Sequence, residues 1–192
     1  WRVLDKKDGE ILLLSEYGLD AQPFDTSGKS RVDWKDSTIR KWLNDDFYNS
    51  AFSEKEKENI VESKSEGFEE YNTSMNLTGG GKPYAYLERE IEDKVFLLSN
   101  TELCAYFSED PYPGCYSDPY AHKELLCYPT AYAKQQLETR YQTETCGWWL
   151  CNHVYEDDSV ELVSAYGQGS GTSRENIKAN TKSIAVRPAM WV

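Results

Sequence analysis

Strand-like apolar runs stand at both ends of this 192-residue chain, with short helical patterns between them. At the N-terminus, residues 1–4 and 10–15 flank the turn sequence Lys7-Asp8-Gly9, and Asp-Gly between two apolar runs predicts a β-hairpin. Residues 147–154, 160–166 and 183–192 have the character of strands at the other end. This order predicts an α+β fold in which the N- and C-terminal strands meet in one antiparallel sheet.

Capping residues mark the helix starts in the middle of the chain. Asp36 or Ser37 can cap a helix whose apolar positions Ile39, Trp42 and Leu43 form one stripe. Two further starts have capping-box spacing: Ser53 with Glu56, and Ser99 with Glu102. Residues 130–137 predict another short helix, and residues 95–98 predict a buried strand. We therefore expect short helices joined by long polar connections.

The charge balance excludes two classes of partner. The chain has 33 Asp and Glu against 21 Lys and Arg, a net charge of −12, which repels nucleic-acid phosphates and anionic lipid. The sequence contains no run of 18 apolar residues, so we expect no membrane-spanning helix. Because the sequence starts at Trp1, we interpret residues 1–192 as a single domain from a longer protein.

Five cysteines leave the disulfide pattern open. Their number is odd and no Cys-x-x-Cys pair suggests zinc, so one or two bridges with a spare thiol are compatible with the sequence. The five are Cys104, Cys115, Cys127, Cys146 and Cys151.

Five motifs occur in order along nearly the whole chain. They are Trp34-x-x-Ser37-x-x-Arg40-x-Trp42-Leu43-Asn44, Phe47-Tyr48-x-x-Ala51-Phe52-Ser53-x-x-Glu56, Asp93-Lys94-Val95-Phe96-Leu97-Leu98-Ser99, Trp148-Trp149-Leu150 and Val186-Arg187-Pro188-Ala189. Together they resemble an uncharacterised bacterial domain family of surface and secreted proteins. That family is similar to the C-type-lectin-like fold, in the branch of formylglycine-generating enzymes and retroelement-diversified receptor proteins. The resemblance implies a C-type-lectin-like α+β domain, located outside the cell or at its surface. The family continues the double Trp with Leu-Arg-Ser, whereas this chain has Cys151 and Asn152 at the last two positions.

The resemblance also directs attention to the strand and loops after the double Trp. Adjacent strand residues point to opposite faces, so one Trp is expected in the core and the other, Trp149, toward a ligand. Similar receptors bind through the segment that follows, which implies a set of ligand-binding residues here: Asn152, His153, Tyr155, Asp157, Asp158 and Tyr166.

A second group of aromatics lies in a Pro- and Gly-rich stretch. Tyr112 and Tyr116 are candidates for a ligand-binding loop, because exposed aromatics on loops are common at recognition surfaces. They could equally pin a long loop to the body of the domain. Both interpretations stay open.

Metal binding has one candidate. Glu156, Asp157 and Asp158 beside Asn152 provide the oxygen ligands that calcium prefers, although the regular spacing of a calcium loop is missing. The alternative is a solvated turn between two strands. No other cofactor is expected.

An enzymatic role depends on Cys146 and Cys151. Formylglycine-generating enzymes hold copper with two nearby cysteines late in the chain, and the Cys-x-x-x-x-Cys spacing here is similar. An odd separation, however, places the two side chains on opposite faces of a strand. No Gly-x-Ser-x-Gly elbow or phosphate-binding loop is present either.

The sequence therefore favours a non-catalytic binding module. The expected ligand is a carbohydrate or a protein, of a host or of a neighbouring cell. The alternatives are a structural spacer in a multidomain surface protein and a thiol or copper oxidase. An exposed aromatic cluster with polar neighbours would favour the binding module over the spacer.

Overall fold

A computed structural model describes residues 1–29, 32–63, 92–107, 123–138, 143–153, 159–168 and 177–192. Within these ranges, short helices and three small sheets enclose a common apolar core. This mixture of separate helices and mainly antiparallel strands confirms the predicted α+β class.

The secondary structure consists of short elements. The strands are β1 (Arg2–Lys7), β2 (Glu10–Leu14), β3 (Tyr17–Gly18), β4 (Tyr128–Pro129), β5 (Trp148–His153), β6 (Val160–Val163) and β7 (Ala189–Trp191). The helices are α1 (Thr38–Trp42), α2 (Tyr48–Ala51), α3 (Glu54–Lys57), α4 (Asn100–Phe107) and α5 (Ala131–Gln136). A π-helical turn, Leu43–Phe47, joins α1 to α2, and 3-10 turns occupy Trp34–Asp36 and Lys123–Leu125. None of the helices in the described ranges is long and apolar enough to cross a membrane.

The chain opens with the predicted hairpin. Lys7 lies opposite Glu10 in the antiparallel pair β1–β2, which leaves Asp8 and Gly9 as a two-residue turn. Their φ angles are 52° and 90°, as a type I′ turn requires at both positions. The Asp-Gly signal is therefore confirmed.

The N- and C-terminal strands share one sheet. β7 runs antiparallel to β2, which gives a three-stranded sheet in the order β1, β2, β7. Leu12 and Leu14 of β2 are buried, together with Ala189 and Met190 of β7. The predicted meeting of the two chain ends is confirmed.

Residues 184–192 pair with more than β2. Ala185 exchanges backbone hydrogen bonds with the start of β5, at 2.8 and 3.1 Å, and Val186 does so with the segment after β3, at 2.8 and 2.9 Å. Ala189 and Phe96 exchange a further pair, at 2.8 and 2.9 Å. The C-terminal segment thus holds together parts of the chain that are far apart in sequence.

Two predicted strands are extended chain with isolated pairings instead. In the stretch 95–98 the bridge is made by Phe96 with Ala189, and in 183–192 the regular strand is limited to β7. Pro188, which has no N–H to donate, directly precedes β7. Pro188 therefore occupies a strand-end position, where its missing N–H costs no ladder hydrogen bond.

The helix starts follow the capping signals. Ser37 caps α1 and its side chain accepts a hydrogen bond from the backbone N–H of Arg40. Ser53 and Glu56 form a complete capping box at α3. At α4, the backbone N–H of Ser99 donates to Glu102 Oε2 at 2.7 Å, and Glu102 N–H donates to Ser99 Oγ at 3.1 Å. All three predicted starts are confirmed.

A buried carboxylate accounts for the spacing of the first motif. Asp93, which is 2% exposed, accepts hydrogen bonds from Trp34 Nε1 at 2.8 Å and from Arg40 Nε at 2.7 Å. The amide of Asn44 donates to the Val95 carbonyl at 2.9 Å. Trp34, Arg40 and Asn44 therefore attach the first helical region to the segment that carries Phe96, which gives Arg40 a structural role.

Replacing Asp93 with Ala should lower the free energy of unfolding by about 3–5 kcal/mol, because the Arg40 guanidinium and the Trp34 indole would lose their shared acceptor. Denaturant unfolding followed by Trp fluorescence measures this change. Asp46→Ala, at an exposed position of the π-helical turn, is the matched control and should change stability by less than about 0.5 kcal/mol. A loss below about 1 kcal/mol for Asp93→Ala would contradict the anchoring role.

Candidate functional site

Both tryptophans of the double-Trp motif are buried in the core. Trp148 Nε1 donates to the Leu125 carbonyl at 3.0 Å, and Trp149 Nε1 donates to the Gln22 carbonyl at 2.9 Å. Five consecutive residues of β5, from position 148 to 152, are buried, so side chains that point in opposite directions both reach the interior. The prediction that Trp149 faces a ligand is therefore wrong.

Asn152 lies inside the domain as well. It is 6% exposed, and its Oδ1 accepts a hydrogen bond of 2.7 Å from the backbone N–H of Asn100, the first residue of α4. Asn100 Nδ2 in turn donates to Glu161 Oε2 at 2.9 Å. Asn152 therefore connects β5 to α4, and its burial leaves almost none of its side chain at the surface.

Glu161 is the titratable member of this polar cluster. Burial raises the pKa of its carboxyl group to about 7, although the hydrogen bond from Asn100 opposes the shift. The carboxyl group therefore changes charge near neutral pH, and its uncharged form is the one that the interior favours.

The other residues predicted to bind a ligand are only partly described. Tyr166 is 53% exposed in the turn after β6. His153 ends β5, and its side chain lies outside the described part of the structure. Five more lie outside the described residues, and their role stays a prediction: Tyr112, Tyr116, Tyr155, Asp157 and Asp158.

The calcium prediction also falls outside the described ranges, because it needs residues 156–158. Among the residues that are described, no group of three or more His, Cys, Asp or Glu side chains is arranged to hold a metal ion.

The copper-centre hypothesis requires Cys146 to pair with Cys151, whereas the structure places Cys146 next to Cys127. Cys146 Sγ lies 3.5 Å from the Cys127 carbonyl oxygen, and the interaction between the two thiols lowers the pKa of Cys127 and raises that of Cys146. Cys151 Sγ instead lies 4.0 Å from Asn152 Oδ1. The thiol contact that the structure provides was not predicted, since Cys127 and Cys146 share no recognisable spacing motif.

Three exposed tyrosines lie in the β3–β4 pair or in the helix that follows it in sequence. Tyr17, Tyr128 and Tyr132 are 51%, 48% and 57% exposed, and we refer to them as the tyrosine surface. Tyr17 lies directly opposite Tyr128 in the parallel register of β3 and β4. Their neighbours Gly18 and Cys127 are buried, so both tyrosine rings project outward from the same face.

The third tyrosine is held close to this strand pair by the start of α5. Thr130 caps the helix through a hydrogen bond from Ala133 N–H, and its own backbone N–H donates to the Gly18 carbonyl at 2.9 Å. Its hydroxyl group donates to the Leu19 carbonyl at 3.2 Å. The first turn of α5, which carries Tyr132, is thereby fixed against β3.

Charged groups lie beside the tyrosine surface. Arg2 forms a bidentate pair with Glu16, at 2.8 and 3.2 Å, and it also donates to the Glu124 carbonyl at 2.9 Å. Glu16 directly precedes Tyr17, and the hydrogen bond from Arg2 lowers the pKa of its carboxyl group. An exposed aromatic group with adjacent polar groups is the feature that distinguishes a recognition surface from scattered apolar residues.

The described residues thus define an α+β domain with an exposed aromatic surface. Residues 8–192 match the family model described as Domain of unknown function (DUF6273), and the chain belongs to that family. No curated protein and no solved structure matches it. The family description carries no activity, so a function has to be argued from the geometry.

Glu161 should make stability depend on pH. Its pKa is about 7 in the folded protein against 4.5 for an ordinary Glu, so the folded state retains a proton that the unfolded chain has lost, and stability falls as pH rises between these values. Glu161→Gln should therefore unfold with a free energy about 1–3 kcal/mol higher than the wild type at pH 8, with little difference at pH 4.5.

Denaturant unfolding at pH 4.5, 6, 7 and 8 tests this expectation. Glu58→Gln, at an exposed position, is the matched control and should follow the wild-type profile throughout. A Glu161→Gln profile parallel to that of the wild type would show that Glu161 titrates at its ordinary pKa.

Proposed function

We propose that this domain is a non-catalytic recognition module that binds a carbohydrate, or in second place a protein, through its tyrosine surface. The observation that carries the proposal is the side-by-side placement of Tyr17 and Tyr128, with Tyr132 on the adjoining helix turn. This is an exposed group of aromatics on a rigid framework, which a purely structural spacer does not need.

The chemistry of the three side chains favours a carbohydrate. A tyrosine ring stacks on the apolar face of a sugar, and its hydroxyl group can bond to sugar hydroxyls or to water at the rim. Because β3 pairs with β4 and Thr130 fixes the start of α5, the backbones of all three tyrosines are held before binding. Little conformational entropy is then lost on association.

The charge of the domain restricts the ligand further. A net charge of −12 repels polyanionic ligands. The ligand that fits best is therefore a neutral or basic glycan. A protein with a basic or neutral surface is the alternative that the same features allow.

The fold and location form part of the proposal. The antiparallel pairing of β2 with β7, near the two ends of the chain, supports a C-type-lectin-like arrangement, as does the order of the five motifs. A receptor-like domain of this type would act outside the cell or at its surface.

Alanine substitutions in the tyrosine surface should reduce binding without unfolding the domain. We expect Tyr17→Ala, Tyr128→Ala and Tyr132→Ala each to raise the Kd for a bound glycan by about tenfold or more, because each removes a stacking ring. A glycan array and a panel of proteins, each with calcium and with chelator, identify the ligand, and titration calorimetry measures the Kd values.

Tyr166→Ala is the matched control, because Tyr166 is equally exposed but lies in the turn after β6. It should bind like the wild type. If Tyr166→Ala alone lost binding, the binding site would lie at the turn after β6 and not at the tyrosine surface. Binding to proteins and not to glycans would overturn the choice of ligand, and no binding in either panel would favour the spacer.

A further inference from the structure

Cys127 and Cys146 lie side by side in the core. Cys127 is fully buried and Cys146 is 7% exposed. The backbone N–H of Cys146 donates to the Cys127 carbonyl at 2.8 Å, and Cys146 Sγ lies 3.5 Å from the same oxygen. This bond holds the two backbones side by side, and a disulfide spans Cα atoms up to about 6.8 Å apart.

Gly18 shows that the two sulfurs occupy a common space. A Cβ atom at Gly18 would lie 3.2 Å from Cys146 Sγ and 3.6 Å from Cys127 Sγ. It would also lie 2.7 Å from the Cβ of Ala185, which leaves no room for a side chain. The missing side chain of Gly18 therefore makes space for both thiols, and the surrounding backbone confines them.

Arg187 is a buried cation whose positive charge acts on both thiols. Arg187 is fully buried, its Nε donates to the Ser15 carbonyl at 2.8 Å, and its Cζ lies 4.9 Å from the centre of the Trp148 ring. Within the described part of the chain, Nη1 and Nη2 of Arg187 have no hydrogen-bond acceptor. A buried guanidinium with unused donors is costly unless negative charge lies nearby.

The thiol pair can supply that charge. The pKa of Cys127 lies below its ordinary value, first because the Cys146 thiol donates a hydrogen bond to it and then because of the positive charge of Arg187, while burial opposes both. The pKa of Cys146 is raised by its bond to Cys127 and by burial. The two thiols thus perturb each other's pKa, and each Sγ also lies near a backbone carbonyl oxygen, that of Cys127 for Cys146 and that of Tyr128 for Cys127.

We propose that Cys127 and Cys146 form a reversible disulfide bond, and that Arg187 favours the reduced pair. The oxidant is a low-molecular-weight disulfide such as oxidised glutathione. The Cys127–Cys146 sulfur–sulfur bond forms and that of the oxidant breaks. Two electrons pass to the oxidant, and the two thiol protons leave with its two released thiols.

The position of Arg187 makes this bond reversible. In the reduced pair the positive charge of Arg187 interacts with a sulfur that can carry negative charge, whereas the disulfide is neutral and leaves Arg187 with the more distant carboxylate of Glu16. Stabilisation of the reduced form is what makes a disulfide easy to reduce. This distinguishes the pair from a purely structural bridge.

Alkylation and peptide mapping test the bond. The domain is equilibrated in graded ratios of oxidised to reduced glutathione, denatured, treated with N-ethylmaleimide and digested with trypsin. Oxidation should join peptide 124–134, which contains Cys127, to peptide 141–174, which contains Cys146 and Cys151. The Cys151→Ser variant should keep this link, and the Cys146→Ser and Cys146→Ala variants should lose it.

Two outcomes overturn the bond: a link that persists without Cys146, or Cys127 and Cys146 both alkylated at the highest proportion of oxidised glutathione. A wild-type link that stays closed in excess reduced glutathione overturns its reversibility. In Arg187→Gln the midpoint of the thiol–disulfide transition should move to a ratio of oxidised to reduced glutathione about tenfold lower than in the wild type. Arg187→Lys keeps the positive charge, so its midpoint should stay near that of the wild type. An unchanged midpoint in a folded Arg187→Gln variant overturns the role of Arg187.

Discussion

The fold depends on the pairing of its first strands with its last residues. Arg187 Nε reaches the Ser15 carbonyl across 172 positions of sequence, and β7 completes the sheet begun by the N-terminal hairpin. The same C-terminal segment bonds to Phe96, to β5 and to the chain after β3. The C-terminal segment therefore joins parts of the core that are separate in sequence.

The short pair β3–β4 divides the outside of the domain from its inside. Alternation along the strands directs Tyr17 and Tyr128 to solvent, and it directs Gly18 and Cys127 to the interior. The tyrosine surface therefore lies on the solvent side of the β3–β4 pair, and the thiol pair lies on its core side. Whatever fixes the position of Cys127 also fixes the backbone of Tyr128.

Signals within a few neighbouring residues predicted much of the fold. The candidate site depends on contacts between residues far apart in sequence, which such signals do not reveal. The Asp8-Gly9 turn and the capping residues Ser37 and Ser53 act within a few residues of themselves, and all are confirmed. The predicted exposure of Trp149 was wrong, because strand alternation does not tell whether one face of the strand or both faces are covered by other parts of the chain. The pairing of Tyr17 with Tyr128 joins two-residue strands far apart in sequence, too short for any periodic pattern.

The π-helical turn between α1 and α2 has a consequence for chain length. In this turn the N–H of Tyr48 reaches back to the carbonyl of Leu43, so the turn holds one residue more than an α-helical turn. One residue corresponds to about 100° of rotation in an α-helix. The wider turn absorbs that rotation, so deleting a single residue here would leave a regular helix with the buried ring of Tyr48 still directed to the core. The π-helical turn is therefore a point at which this helical region can lose one residue without moving its apolar side chains to another face.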